Sequence, residues 1–230
     1  MDKELQLFTK CDVFTPDDIS KKMASILNNK GNILEPAVGN GNLLQYINLE
    51  NYEYVDIYEI KKEYLDSIPP NEKIKSHHCD FIKAEIDKKY DNIIMNPPYI
   101  KMQDLSEEYR NYLKEKFDIL NSGIIDIYYA FIIKCLYLLK PDGILVSITP
   151  NSYLYNKSSL KLRKYLFDNK YISEIIDYND TKIFPNISVY CCITIFNKKD
   201  KEFIIYNKTK ILYTDIITNY TLFNTTSNKS

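Results

Sequence analysis

Asn96-Pro97-Pro98-Tyr99 puts an amide, a prolyl carbonyl and an aromatic ring directly behind the apolar run Asn92-Ile93-Ile94-Met95. Two successive prolines donate nothing to a sheet ladder, so a strand must stop there. The side-chain oxygen of Asn96 and the carbonyl of Pro97 are both acceptors, suited to the two N–H groups of an amine on a flat ring. Such an amine is a poor nucleophile because its lone pair is delocalised into the ring. Holding both N–H groups out of plane returns electron density to nitrogen. The tetrapeptide holds no nucleophile of its own, so its chemistry is positioning plus electrostatics, with Tyr99 stacking on the ring.

Upstream, Glu35-Pro36-Ala37-Val38-Gly39-Asn40-Gly41-Asn42 concentrates two of the chain's 5 glycines in one short loop. A strand entering a glycine turn is the generic start of a nucleotide site, because glycine lets backbone approach ligand closely. The dinucleotide fingerprint requires a third small residue, and Leu44 stands there. An adenosine-type ligand without phosphates fits better, since Glu35 repels phosphate and attracts a cationic amino group. Glu59-Ile60 follows the next strand at the place where an acid accepts ribose hydroxyls. Asp80-Phe81 ends a third strand, with a carboxylate for an exocyclic adenine amine and a ring to pack on the base. In this order the signals point to S-adenosylmethionine, whose sulfonium methyl the amine would attack in line.

Positioning these groups at one sheet edge requires strands alternating with helices. Thr15 as cap, Pro16 in the first turn and Asp17-Asp18 behind them predict a helix start, with Ile19, Met23, Ile26 and Leu27 on one face. Strands are expected at Ile33-Leu34, Tyr52–Glu59, Lys73–Cys79, Tyr90–Met95, Ile144–Thr149, Ile172–Tyr178 and Ser188–Phe196. Helices are expected at Asn42–Ile47, Lys61–Ile68, Ser106–Leu120, Asp126–Lys140 and Ser158–Asp168, with a turn at Pro141-Asp142-Gly143. This alternation predicts an α/β, Rossmann-like fold: a seven-stranded, mostly parallel sheet covered on both faces. Residues 1–197 read as one catalytic domain. Residues 198–230 read as a short appendage with β-prone runs at Phe203–Tyr206 and Ile211–Tyr213, or the start of a truncated recognition region; Asn224–Ser230 reads as frayed.

A net charge of −1 gives no global basic signature. Lys157, Lys161, Arg163, Lys164 and Lys170 form a local basic stretch, which reads first as a solvated helix face and second as a nucleic-acid contact. Five cysteines without a C-x-x-C pair, and adjacent His77 and His78, give no zinc pattern and predict buried reduced thiols; no metal is expected. The Met1-Asp2-Lys3-Glu4 start and the absence of a long apolar run predict a soluble, cytoplasmic protein.

With these residues in place the chain resembles the gamma-class, TaqI-like adenine-N6 DNA methyltransferases from about Phe14 to Asn197. Phe14-Thr15-Pro16 resembles the amino-terminal cofactor motif, Asp126-Ile127-Tyr128-Tyr129-Ala130-Phe131 a helix motif whose Phe131 packs near the cofactor, and Ile183-Phe184-Pro185 a late motif. The resemblance implies catalytic Asn96, Pro97 and Tyr99, with Tyr99 and Phe184 sandwiching a flipped adenine. It implies cofactor contacts from Phe14, Thr15, Pro16, Glu35, Pro36, Ala37, Gly39, Gly41, Glu59, Ile60, Asp80, Phe81, Asn96, Pro98 and Phe131. That family carries a sizeable carboxyl-terminal recognition domain, and only about thirty residues follow Asn197. Recognition of DNA, in a restriction-modification or related system with nucleoid association when acting, is expected first from a partner subunit; a fragment of a longer enzyme and an orphan with little sequence preference are the other readings. Glutamine-N5 protein methyltransferases and some RNA base methyltransferases share the Asn-Pro-Pro-Tyr site and are the alternatives, beside a non-catalytic subunit. Asn96→Ala is expected to abolish turnover while leaving cofactor affinity nearly intact.

Overall fold

The computed structural model describes residues 12–120, 126–185 and 187–222. Among these residues nine strands join one sheet in the order β3-β2-β1-β4-β5-β7-β6-β8-β9. They are β1 (Asn32–Glu35), β2 (Tyr54–Glu59), β3 (Ile74–His78), β4 (Tyr90–Met95), β5 (Leu139–Pro150), β6 (Ile172–Asp177), β7 (Cys191–Phe196), β8 (Phe203–Tyr206) and β9 (Thr209–Leu212). The described helices are α1 (Asp17–Ser25), α2 (Lys62–Ser67), α3 (Glu107–Lys116), α4 (Tyr128–Leu138), α5 (Leu160–Asp168) and α6 (Tyr213–Ile217).

β1 lies between β2 and β4 and runs parallel to both. The chain builds outward to β3, then crosses back to lay β4 on the other side of β1. That reversal opens a crevice at the carboxyl ends of β1 and β4, where α/β sheets bind ligands. Beyond β5, which is parallel to β4, the reversed strand β7 is inserted between β5 and β6. Successive side chains alternate faces, and both faces are buried. Leu34, Ile93, Met95 and Leu145 pack under α4 in one cluster; Ile33, Ile94, Val146 and Ile193 pack with Ile19 and Met23 of α1 in the other.

All seven expected strands are present, and the two β-prone runs after Asn197 supply β8 and β9. β8 pairs parallel with β6 and turns back into β9, so this segment continues the sheet. Pro141-Asp142-Gly143, expected as a turn before a strand, lies inside β5. The pairing steps from Tyr90↔Leu139 to Asn92↔Ile144, so the three residues bulge while the strand continues. A Cβ on Gly143 would sit 2.9 Å from the Tyr90 carbonyl, which is why the bulge needs glycine there. The expected helix at Asn42–Ile47 is only a 3-10 turn, Leu44–Tyr46. Ile47 turns extended, and Asn48 starts a new turn by accepting from the Glu50 N–H.

Two further expectations are corrected by packing. Helix α1 starts at Asp17, with Pro16 preceding it and no side chain capping it, so the Thr15 hydroxyl is not a cap. The basic stretch does not form one solvated face. Arg163 is 5% exposed and donates to the carbonyls of Tyr153, Asn156 and Tyr220 and to the Ser159 hydroxyl. Lys170 is paired with Asp200 at 2.8 Å. The guanidinium has traded solvent for carbonyl acceptors and ties α5 to the loop before it. Cys135, Cys191 and Cys192 are buried free thiols, whereas Cys79 is exposed; Cys11 and Asn224–Ser230 lie outside the described residues. No described helix is long and apolar enough to cross a membrane.

Candidate active site

An open cleft of about 790 Å³ lies at the carboxyl ends of β1, β2 and β4. Of the residues singled out from sequence, Phe14, Thr15, Glu35, Pro36, Ala37, Gly39, Glu59, Ile60, Asp80, Phe81, Asn96, Pro97, Pro98 and Phe131 line it. Pro16 and Gly41 do not. Pro16 ends the approach to α1, and Gly41 (φ +82°) shapes the loop by donating to the Val38 carbonyl at 2.9 Å. Gly39, at φ +52°, takes a left-handed conformation that other residues adopt only with strain, and it brings its N–H to Glu59.

Glu59 is held by two backbone donors, Gly39 N–H and Lys61 N–H, each at 2.9 Å. One lone pair on each oxygen remains for ligand hydroxyls. Burial nevertheless pushes its pKa up, against the pull of these bonds. Glu35 differs. It is 1% exposed, and neither carboxylate oxygen has a partner. Burial first, and the Glu59 charge second, raise its pKa well above the usual carboxylate range. A buried acid with nothing to bind is costly, and a cation supplied by a ligand removes that cost. Among the described lining residues the basic side chain is Lys61, and its ammonium is taken up by Asp12.

Asp80 accepts from the Ile82 N–H at 2.8 Å and from the Tyr109 hydroxyl at 2.7 Å, which fixes its carboxylate at the cleft. Phe81 stacks obliquely on Phe131 at 5.4 Å, forming an apolar wall. Lys134, three residues beyond Phe131 on α4, was not foreseen. Its ammonium donates to the carbonyls of Phe81, Ile82 and Ala84 and lies 4.8 Å from the Phe81 ring centre, so it pins the loop bearing Asp80. Burial lowers its pKa to about 8. Its spacing of three from Phe131 was the available signal.

Asn96 stands where the cleft meets the aromatic residues. Its Nδ2 donates to the Val13 carbonyl at 2.8 Å and to Thr15 Oγ1 at 3.0 Å. Its Oδ1 accepts from the Tyr99 hydroxyl at 2.7 Å. Burial raises the Tyr99 pKa well above its usual value, so that hydroxyl remains a donor. Tyr99 and Phe184 meet edge to face, with centroids 6.3 Å apart and planes at 72°. The structure thus brings the two expected stacking rings together, though not as parallel walls; a flat ring enters between them only if one turns. Asp12, Val13, Lys61 and Tyr64, also at this cleft, were not singled out; Asp12, Val13 and Lys61 adjoin Phe14 and Ile60 in the chain, and that adjacency was the available signal.

The family model described as Eco57I restriction-modification methylase matches residues 7–184. Type II methyltransferase M.HincII of Haemophilus influenzae is 33% identical over 183 residues, covering 76% of this chain and 34% of that protein. Type II methyltransferase M.BanIII of Aneurinibacillus aneurinilyticus is 29% identical over 211 residues, covering 74% and 36%. The chain therefore spans about a third of the length of these relatives. Among solved structures, the methyltransferase subunit of a type I restriction-modification system from Streptococcus thermophilus superposes with a TM-score of 0.68 at 18% identity, covering 90% of this chain and 53% of that one. A class I S-adenosylmethionine-dependent methyltransferase from Listeria monocytogenes gives 0.65 at 19% identity, covering 88% and 67%. The architecture is the class I methyltransferase fold.

Proposed function

Since the chain belongs to the Eco57I restriction-modification methylase family, we propose that it is the catalytic part of a DNA methyltransferase acting on N6 of an adenine swung out of the duplex, in the manner of gamma-class enzymes. The cofactor is S-adenosylmethionine. The cleft fits it on its own chemistry: an orphaned buried carboxylate at Glu35 for a cationic amino group, Glu59 for ribose hydroxyls, and Asp80 with Phe81 and Phe131 for adenine. When bound, the cofactor supplies an electrophilic methyl group.

One observation carries the reading. Asn96 lines the cofactor cleft and, through Oδ1, also touches the Tyr99–Phe184 pair. It therefore stands between a donor site and a slot for a flat ring. Asn96 Oδ1 and the Pro97 carbonyl accept the two N–H groups of the adenine amine and direct its lone pair toward the cleft. Tyr99 and Phe184 hold the ring faces, one of them turning to admit the base. No residue forms a covalent intermediate, so the chain's contribution is orientation and charge placement. The amine loses a proton after transfer, and water at the open cleft accepts it.

Residues up to Asn197 carry every group in this scheme, and we read the β8–β9 pair beyond it as an addition to the sheet edge. With a net charge of −1 the chain has little grip on duplex DNA, so recognition falls to a partner. The setting we propose is the bacterial cytosol, at the nucleoid during action. The test offers tritiated S-adenosylmethionine with unmethylated genomic DNA, total RNA and a release-factor protein, followed by nucleoside analysis. N6-methyldeoxyadenosine in the DNA supports the proposal. Label in RNA or in glutamine of the protein would transfer the same site to another substrate, and cofactor binding without label in any would reduce the chain to a binding subunit.

A further inference from the structure

Residues 12–15 cross the rim of the cleft as a strap, tied to separate parts of the site. The Asp12 carboxylate receives Lys61 Nζ and the Tyr64 hydroxyl from the start of α2. Phe14 meets the Tyr64 ring edge to face at 5.7 Å. The Thr15 carbonyl accepts Asn42 Nδ2 from the glycine loop at 2.9 Å and the Ser20 hydroxyl at 3.3 Å. The last tie reaches the catalytic tetrapeptide, where Asn96 Nδ2 donates both to the Val13 carbonyl and to Thr15 Oγ1.

Amine capture needs the oxygen of that amide, not its nitrogen. Rotation of the amide by half a turn exchanges the two atoms and would present donors to a donor. The Val13 carbonyl can only accept, so it selects the nitrogen on the strap side. A rotated amide would set Oδ1 against that carbonyl at 2.8 Å, oxygen facing oxygen. With nitrogen committed to the strap, Oδ1 faces Tyr99 and the ring slot. Thr15 is free for this role because it does not cap α1.

We propose that the strap sets the orientation of the Asn96 amide, making Thr15 a positioning residue for methyl transfer as well as a wall of the cofactor cleft. The inference rests on the reading of Asn96 as the amine acceptor. It carries a coupling: the same four residues line the cofactor cleft and turn the amide, so a site with the strap displaced has lost both functions together. Thr15 is 2% exposed, and its hydroxyl still has a proton to donate while it accepts from Asn96.

The test compares Thr15→Val, which keeps shape and removes the acceptor, with Thr15→Ser, which restores it. Single-turnover labelling of unmethylated genomic DNA is measured at saturating tritiated cofactor, alongside cofactor affinity. Loss of one orienting bond is expected to slow the saturated rate about tenfold in the valine variant and to leave the serine variant within about threefold of the parent. A valine variant altered only in cofactor affinity, with the saturated rate intact, overturns the proposal. A second readout does not need DNA: exchange of the Asn96 side-chain amide protons, followed by 15N NMR. Exchange at least about tenfold faster in Thr15→Val than in the parent or Thr15→Ser supports the strap; equal exchange in all three refutes it. Should the parent fail to label DNA, the functional reading fails, and amide exchange still decides the strap.

Discussion

Replacing Glu35 with Gln removes one ionisable proton from the floor of the cleft and little else. In the parent, burial and the neighbouring Glu59 charge hold the Glu35 pKa well above 4.5 in the folded chain. Below pH 4.5 both folded and unfolded states carry the proton, and the site has no pH dependence. Above it the unfolded chain ionises while the folded one does not, so the folded state holds one more proton. Stability then falls by about 1.4 kcal/mol for each pH unit until the folded pKa is reached. For a domain of this size that is roughly 3–5 °C of melting temperature per unit. Urea and thermal melts of the ligand-free protein from pH 5 to 8 should show this slope in the parent relative to Glu35→Gln, with the variant the more stable at neutral pH. Glu59 and other acids titrate in both proteins, so the difference isolates Glu35. The cofactor must reverse the order. An ammonium group opposite Glu35 favours the ionised acid, so binding releases a proton and strengthens as pH rises toward the folded pKa, while the variant gains little protection. Parallel pH profiles for the two ligand-free proteins, or equal cofactor affinity, would refute the assignment of Glu35 as the cation site.

Asn96→Ala should remove detectable methyl transfer, and the strap changes the expectation for cofactor affinity. Losing the bonds to Val13 and Thr15 loosens the cleft wall by about 1–3 kcal/mol, so calorimetry should show binding weakened by several-fold; unchanged affinity would mean the strap is held by its other ties. Tyr99→Phe keeps the ring and removes a donor from Asn96 Oδ1, so saturated rates should stay within about tenfold of the parent while Tyr99→Ala loses far more; equal losses would assign Tyr99 to the hydroxyl rather than to stacking. Arg163→Met strips donors from four acceptors and should destabilise the chain by about 3 kcal/mol in urea melts, with no change in the salt dependence of DNA binding; a shallower salt slope would return Arg163 to the DNA face.

What could be read from the sequence was whatever the chain must do locally. Pro97-Pro98 behind an apolar run ends β4 whatever surrounds it, and Gly39 and Gly41 mark a loop whose left-handed turns are intrinsic. The order of strands and helices followed from periodicity, down to Tyr90–Met95. What escaped depends on partners distant in sequence. Thr15 reads as a helix cap because Pro16-Asp17-Asp18 follows, yet its hydroxyl accepts from Asn96, 81 residues away. Arg163 sits among lysines and is buried by carbonyls that sequence cannot bring to it. Pro141-Asp142-Gly143 signals a turn, and pairing with β4 and beyond absorbs it as a bulge. Tyr99 and Phe184 were foreseen as neighbours through the resemblance, but their perpendicular planes come only from packing.

The reversed strand between β5 and β6 bears on how the molecule is made. β6 does not pair with β5; β7 bridges them. During synthesis β5 must wait, one edge bare, until residue 196 has emerged, and bare edges invite mispairing with other chains. Phe184 hangs on the connection between β6 and β7, so the ring opposite Tyr99 reaches its place only when β7 has paired. Trimming the chain in this region would therefore expose the β5 edge and remove the ring packed against Tyr99 in a single cut.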